Sequence, residues 1–189
     1  MIRIGILGDI GSGKSYVSTK FGYPVFNADA EVNKLYLKDK KLFNKLNKSL
    51  PNYIKFFPIK KDQIINSILA DEKNLKRIIK VVHLEIRKKL NIFLKKNKNK
   101  KAVILDIPLL LENNLNKEKD ILIFVQSNKY HILKRLKKRK KFNLKILKIF
   151  KKIQLPLDYK KKKSHFIIKN NFKPFLVKKS VKLILKEIL

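Results

Sequence analysis

The sequence has no cysteine among its 189 residues. This absence excludes a framework of disulfide bonds, and it also excludes a metal site built from thiolate ligands. The chain has no apolar run long enough to span a lipid bilayer, and its first residues lack the pattern of a signal peptide. From these absences we expect a soluble, cytoplasmic protein with no membrane partner.

Acidic residues are scarce as well: 14 of them stand against 48 lysines and arginines, which gives a formal net charge of +34. Such a charge is typical of nucleic-acid-binding proteins. However, only five of the basic residues are arginine, the residue that makes bidentate contacts with bases and phosphates. Lysine, asparagine and isoleucine are abundant together, as A- and T-rich codons favour. We therefore expect no dedicated nucleic-acid partner, and we leave the oligomeric state open.

Hydrophobic residues make up 44% of the chain, which is enough for a globular core. Short apolar runs predict strands at residues 2–7, 23–26, 102–105, 121–125 and 166–168. The spacing of apolar residues predicts helices at residues 14–21, 30–96 with breaks near Pro51 and Pro58, 128–150 and 177–189. Strands that alternate with helices in this way predict an α/β fold with a parallel sheet.

Glycine is rare too, yet three of the five glycines, Gly8, Gly11 and Gly13, fall within six positions. Residues 8–15 match the pattern G-x-x-x-x-G-K-S/T in full, after a predicted strand and before a predicted helix. In this arrangement backbone N–H groups surround phosphate oxygens at the positive end of a helix. The Lys14 ammonium would reach the β- and γ-phosphates, and the Ser15 hydroxyl would bind Mg²⁺. The pattern therefore predicts a nucleoside triphosphate as the ligand.

Asp29 follows the second predicted strand, at the edge where parallel sheets bind ligands. A carboxylate there could accept a proton from the hydroxyl that attacks the γ-phosphate. It could equally be the N-cap of the next helix. The residues themselves leave both roles open.

Arg135 and Arg139 are four residues apart, which places them on one face of the predicted basic helix. In kinases with such a phosphate loop, arginines close over the nucleotide and neutralise charge on the transferred phosphoryl group. The alternative is that both are ordinary members of a basic helix. Because the chain otherwise uses lysine, the choice of arginine favours a functional role.

The order of these motifs resembles the dephospho-CoA kinase family along nearly the whole chain. The loop at residues 8–15 is similar to the loop of that family, and Asp29 matches the last residue of its D-A-D motif, although Asn27 replaces the first aspartate. The segment D-I-P-L-L-L-E at residues 106–112 is similar to the family's D-I-P-L-L-F-E. Arg135 and Arg139 match the R-x-x-x-R of its lid, and residues 167–170 resemble its closing V-I-x-N.

The resemblance implies a P-loop NTPase core with a five-stranded parallel sheet, at about residues 1–29, 101–127 and 164–189. It also implies a helical substrate subdomain at about residues 30–95 and a lid at about residues 128–163. The expected activity is ATP-dependent phosphorylation of the ribose 3′-hydroxyl of dephospho-CoA, the last step of coenzyme A synthesis. Two other functions stay open: another P-loop kinase acting on a nucleoside or nucleotide, and a basic, ATP-regulated nucleic-acid-binding protein.

Site residues follow from the same resemblance. The catalytic residues would be Asp29 as the base, with Lys14, Arg135 and Arg139. Asp106 would hold a water bound to Mg²⁺, whose protein ligand would be Ser15. The expected ATP contacts are Gly8, Ile10, Gly11, Ser12, Gly13, Lys14, Ser15, Tyr16 and Arg139, and the expected substrate contacts are Asp29, His83, Pro108, Leu109 and Glu112. For His83 the alternative is a packed side chain, and for Glu112 it is a helix cap.

Overall fold

The computed structural model of the chain describes residues 1–139 and 142–189. Within them, five strands form one parallel sheet in the order β2-β3-β1-β4-β5. The strands are β1 (Ile2–Gly8), β2 (Val25–Asn27), β3 (Ala102–Asp106), β4 (Ile121–Gln126) and β5 (Phe166–Lys169). The predicted α/β fold with a five-stranded parallel sheet is confirmed.

The helices of the described residues follow the strands or lie between them. They are α1 (Lys14–Thr19), α2 (Ala28–Lys38), α3 (Lys40–Ser49), α4 (Lys61–Ala70), α5 (Lys73–Lys96), α6 (Lys129–Lys137), α7 (Leu144–Lys152), α8 (Leu157–Lys162) and α9 (Pro174–Ile188). The short helix α8 was not predicted. Among the described residues, no helix combines the length and apolar character needed to cross a lipid bilayer.

One prediction about the helices was wrong: the basic stretch 128–150 is not a single helix. Helix α6 ends at Lys137, and α7 begins only after Asn143. The Asn143 side chain accepts a hydrogen bond from the backbone N–H of Ile146 at 3.1 Å, which is the contact of an N-terminal cap. Asn143 therefore starts a new helix, and Arg139 lies in the bend between the two helices.

Capping side chains also explain breaks in the predicted helical stretch 30–96 that do not lie near Pro51 or Pro58. Between α2 and α3, the Asp39 carboxylate accepts the backbone N–H of Leu42 at 2.9 Å. Between α4 and α5, the Asp71 carboxylate accepts the backbone N–H of Lys73 at 2.8 Å. A carboxylate that takes up an N–H of the first helical turn replaces a hydrogen bond that the helix itself cannot supply.

The central strands are buried because helices cover the sheet. Ile4, Ile6 and Ile104 have no exposed surface. On one side these strands contribute to a cluster that also contains Val17 and Phe21 from the α1 region and Val177, Val181 and Ile184 from α9. Each such aliphatic side chain contributes about 1.5–3 kcal/mol when it is fully buried. This cluster makes the sheet a rigid base for the loops at its carboxyl edge.

The chain divides into two compact units. The first contains the sheet and comprises Met1–Asn27, Leu94–Phe142 and Ile153–Leu189. The second is helical and comprises Ala28–Phe93 and Asn143–Lys152. Within the second unit, ion pairs join separate helices or their connections: Lys45 with Glu85 at 2.9 Å, and Lys152 with Glu72 at 2.8 Å. The assignment of a substrate subdomain and a lid stays a prediction.

Candidate active site

The loop between β1 and α1 has the backbone that its glycines allow. Gly8, Gly11 and Gly13 have φ values of 141°, 86° and 92°. Residues that carry a side chain rarely adopt such positive φ values, so glycine is required at these positions. Close approach adds a second requirement, because a Cβ atom on Gly8 would lie 2.6 Å from the carbonyl oxygen of Val125. The loop is therefore folded tightly over the end of the sheet.

Hydrogen bonds within the loop fix its first half. The Asp9 carboxylate accepts the backbone N–H of Ile10 at 2.7 Å, and the Asp9 carbonyl accepts that of Ser12 at 3.1 Å. The Lys14 ammonium donates to the carbonyl oxygens of Gly8 and Asp9 at 3.0 and 2.8 Å. Lys14 thus folds back over the loop, so that its positive charge lies at the loop and not in bulk solvent.

Two side chains at the ends of neighbouring strands fix the second half of the loop. The Ser12 carbonyl accepts hydrogen bonds from Ser127 Oγ and Asn170 Nδ2, both at 2.8 Å. Ser127 directly follows β4, and the buried Asn170 directly follows β5. The C=O and N–H groups of one trans peptide point in opposite directions, so this anchoring turns the Gly13 N–H away from the strand ends. Neither residue had a role predicted from the sequence.

A buried carboxylate links the loop to the neighbouring strands. Asp106 ends β3 and accepts hydrogen bonds from the Ser15 hydroxyl and, at 2.6 Å, from Asn27 Nδ2. Burial raises the pKa of Asp106, while the Ser15 hydrogen bond, the Lys14 charge and the Asn27 hydrogen bond act in the opposite direction. A hydroxyl and a carboxylate in contact are the oxygen ligands that Mg²⁺ prefers. The residues present therefore fit a magnesium ion.

Asp29 lies in the first turn of α2, in the second unit, and its side chain is exposed. Because α2 begins at Ala28, Asp29 is a helical residue and not the N-cap. The N-cap alternative is thus not supported. A carboxylate in this turn interacts favourably with the positive end of the helix dipole.

The two arginines lie in different surroundings. Arg135 is on α6, where its Nη1 donates to the carbonyl of Gly11 at 3.3 Å and its guanidinium lies 4.3 Å from the ring centre of Phe172. Arg139 lies beyond the end of α6 and is exposed. The expectation that both arginines lie on one face of a helix was wrong, since the helix ends between them. Of the two arginines, Arg135 is the one for which the described residues show a contact with the phosphate loop.

The predicted substrate residues are divided between the units. Pro108, Leu109 and Glu112 belong to a series of turns at residues 108–114, which follows β3 and is named here the turn segment. His83 is on α5 in the second unit. Burial and the charge of Arg87 lower the pKa of His83, and its buried Nε2 has no hydrogen-bond partner among the described residues. Tyr16, an expected ATP contact, is partly buried on α1.

Comparison with known proteins decides the family. A sequence model of the dephospho-CoA kinase family matches residues 2–174. This chain belongs to the dephospho-CoA kinase family. It is similar to the dephospho-CoA kinase of Wolbachia sp. subsp. Brugia malayi, with 34% identity over 170 residues that cover 87% of each chain. The resemblance inferred from the motifs is confirmed, and the chain is an ATP-dependent kinase.

Solved structures support the same fold. The protein TT1252 from Thermus thermophilus matches with a TM-score of 0.76 and 25% identity, over 100% of this chain and 98% of that one. The dephospho-CoA kinase from Campylobacter jejuni matches with a TM-score of 0.62 and 24% identity, over 98% and 96% of the two chains. The P-loop kinase fold is therefore confirmed, and the nucleic-acid alternative is not favoured.

The anchoring of Ser12 leads to a prediction about ATP binding by this kinase. Replacing Asn170 with alanine removes one of the two donors to the Ser12 carbonyl, so the loop should lose part of its preformed shape. We expect the Asn170→Ala variant to bind ATP about 5–10-fold more weakly, the effect of losing one hydrogen bond of about 1 kcal/mol. Calorimetric titration with a non-hydrolysable ATP analogue measures this change.

Asn171→Ala is the matched control, because Asn171 is exposed and its side chain, among the described residues, accepts the backbone N–H of the nearby Lys173. We expect the ATP affinity of this control to equal that of the wild type. Equal affinities for the two variants would show that Asn170 does not shape the loop.

Proposed function

We propose that this kinase transfers the γ-phosphoryl group of ATP to the ribose 3′-hydroxyl of dephospho-CoA and so completes coenzyme A synthesis. The observation that carries the proposal is the family match over residues 2–174, which spans every site residue considered above. Small-molecule substrates also agree with the site, which is a phosphate loop at a sheet edge. Because the reaction consumes ATP, we propose the cytoplasm as its location.

The phosphates of ATP would bind to the loop at residues 8–15. Three features support this role: the glycine conformations, the anchored Ser12 carbonyl and the Lys14 ammonium at the loop. Backbone N–H groups at the start of a helix bind anions, and a lysine adds a full positive charge. Ile10, Ser15 and Tyr16 would complete the contacts along the loop and the first turn of α1.

Ser15 and Asp106 would hold Mg²⁺, Ser15 directly and Asp106 through a bound water. When bound with ATP, this ion neutralises charge on the β- and γ-phosphates. Asn27 orients the Asp106 carboxylate, because its amide Nδ2 donates a hydrogen bond to Oδ2 of Asp106 at 2.6 Å. The carboxylate is thereby fixed in position before any ligand binds.

Asp29 would act as the base, because a carboxylate can take the proton from the 3′-hydroxyl as that oxygen attacks the γ-phosphate. Its exposed side chain, two residues beyond Asn27 in the chain, is accessible to a substrate. Arg135 and Arg139 would neutralise charge that develops on the phosphoryl group. Pro108, Leu109 and His83 would contact dephospho-CoA.

The proposal is tested by offering the purified protein ATP, Mg²⁺ and either dephospho-CoA or a panel of nucleosides and nucleotides. We expect coenzyme A to form, with a kcat/KM for dephospho-CoA at least about 10²-fold above that for any other acceptor. Mass spectrometry identifies the products. Faster phosphorylation of a nucleoside or nucleotide would instead support the other kinase class.

Asp29→Asn tests the assignment of the base. The asparagine variant should fold and bind ATP, because the change is nearly isosteric and the loop holds the phosphates. Phosphorylation of dephospho-CoA should fall by about 10²–10⁴-fold, the usual contribution of a general base. Steady-state rates, ATP affinity and melting temperature are measured together.

Glu31→Gln is the control for Asp29, since Glu31 is the other acidic residue in the first turn of α2. It removes the same interaction with the helix dipole, about 0.3–1 kcal/mol, without removing the base. We expect its rate to stay near that of the wild type. A rate loss of less than about threefold in Asp29→Asn, far below the range for a base, would contradict the catalytic role.

Arg135→Ala and Arg139→Ala test the two arginines. Each variant should lower kcat by about 10²-fold or more, because the proposed contacts strengthen only in the transition state. ATP affinity should change less, with a small loss in Arg135→Ala because Arg135 also contacts Gly11. Lys134→Ala, an exposed neighbour on α6, is the control. Weaker ATP binding at an unchanged kcat would show that the arginines only bind the nucleotide.

A further inference from the structure

Lys160 is the one buried lysine among the described residues of this lysine-rich chain, with 1% of its side chain exposed. Its ammonium lies 2.6 Å from Oε1 of Glu112, whose side chain is 9% exposed. Removing two charges from water is costly, and their mutual attraction offsets that cost only when the geometry is good. Such a pair adds little net stability, but it fixes the relative positions of the two residues that form it.

Glu112 connects two separate parts of the first unit. It belongs to the turn segment, residues 108–114, and its Oε1 accepts both the Lys160 ammonium and the backbone N–H of Leu155 at 3.0 Å. Leu155 lies two residues before the start of α8, and Lys160 lies within α8. One carboxylate oxygen therefore fastens the turn segment to the start of α8.

Packing fastens the turn segment at a second residue, Leu110. Leu110 is fully buried and lies against β1 at Gly5, where an added Cβ would come within 2.6 Å of its side chain. Pro108 and Leu109 lie between the end of β3 and these two attachments, and both are partly exposed. The attachments therefore determine where these two residues are placed.

The second carboxylate oxygen of Glu112 does not face the solvent. Oε2 is buried and has no hydrogen-bond partner among the described residues. Oε1 is engaged by two donors and Oε2 is buried, so the carboxylate is directed at the protein. Glu112 is thus placed to act on other parts of the protein.

We propose that the Glu112–Lys160 pair is a positioning device: it fixes the turn segment so that Pro108 and Leu109 are correctly placed for dephospho-CoA. Glu112 acts through Lys160 and the backbone of Leu155, and does not contact the substrate. The inference rests on the proposed function, because it concerns the substrate side of that site.

Single and double variants separate positioning from stability. Glu112→Gln and Lys160→Met each leave one buried charge without its partner, which is strongly destabilising, whereas removal of both charges is often neutral. We expect each single variant to lower the melting temperature by about 6–20 °C. We expect the double variant to recover at least half of that loss.

The substrate readouts should not recover in the double variant. We expect all three variants to raise the KM for dephospho-CoA by about tenfold or more, as for a displaced binding group, while the KM for ATP changes by less than about twofold. Hydrogen exchange at the amides of Asn113, Asn114 and Leu115, which bond within the turn segment, should become faster. Lys161→Met, an exposed neighbour on α8, is the control and should resemble the wild type.

Three results would count against parts of this account. If the double variant had the wild-type KM for dephospho-CoA and wild-type exchange, the pair would only stabilise the fold. If Glu112→Gln raised this KM and Lys160→Met did not, Glu112 would contact the substrate directly. If the wild type did not phosphorylate dephospho-CoA, the proposed function would be wrong, and the exchange rates would still decide whether the pair orders the turn segment.

Discussion

The candidate site depends on the anchoring of one peptide group, the carbonyl of Ser12. Without the two donors that hold it, Ser127 and Asn170, a loop so rich in glycine would sample many conformations. These donors are available because parallel strands end at the same edge of a sheet, where the residues after β4 and β5 meet the residues after β1. The hydrophobic cluster under the sheet keeps those ends in register. Apolar packing thus determines the geometry of a polar site.

Several of the few acidic residues lie at positions where the local structure needs a hydrogen-bond acceptor. With only 14 of them, a uniform scatter over the surface would leave few at any functional position. Instead, Asp39 and Asp71 begin helices, and Asp106 contacts the phosphate loop. Asp120 accepts the partly buried guanidinium of Arg3, and Glu112 accepts the buried ammonium of Lys160. The high net charge comes mostly from exposed lysines, while these five negative groups lie where local structure requires an acceptor.

Local patterns in the sequence predicted most of the fold, because each strand is an apolar run and the loop motif lies between a strand and a helix. Patterns did not show where helices break at side-chain caps such as Asn143, since asparagine is common throughout this chain. For the same reason Arg139 was placed on a helix that ends before it. Ser127 was missed because its partner is a carbonyl more than a hundred residues away, which leaves no local signal. Asn170 was noted only as the last residue of the segment 167–170, without a role. The roles of Asp29, His83 and the arginines stay predictions.

Asn170 has a further consequence, because the two ends of its amide serve different partners. Its Nδ2 holds Ser12, while its Oδ1 accepts the backbone N–H of Phe172 at 3.0 Å. Phe172 has a φ of 64°, a strained value for a bulky residue, and its ring supports the Arg135 guanidinium. One side chain therefore couples the phosphate loop to the arginine beside it. Substitutions at positions 170 and 135 belong to one cooperative unit, and their energetic effects will not add as those of distant, independent sites do.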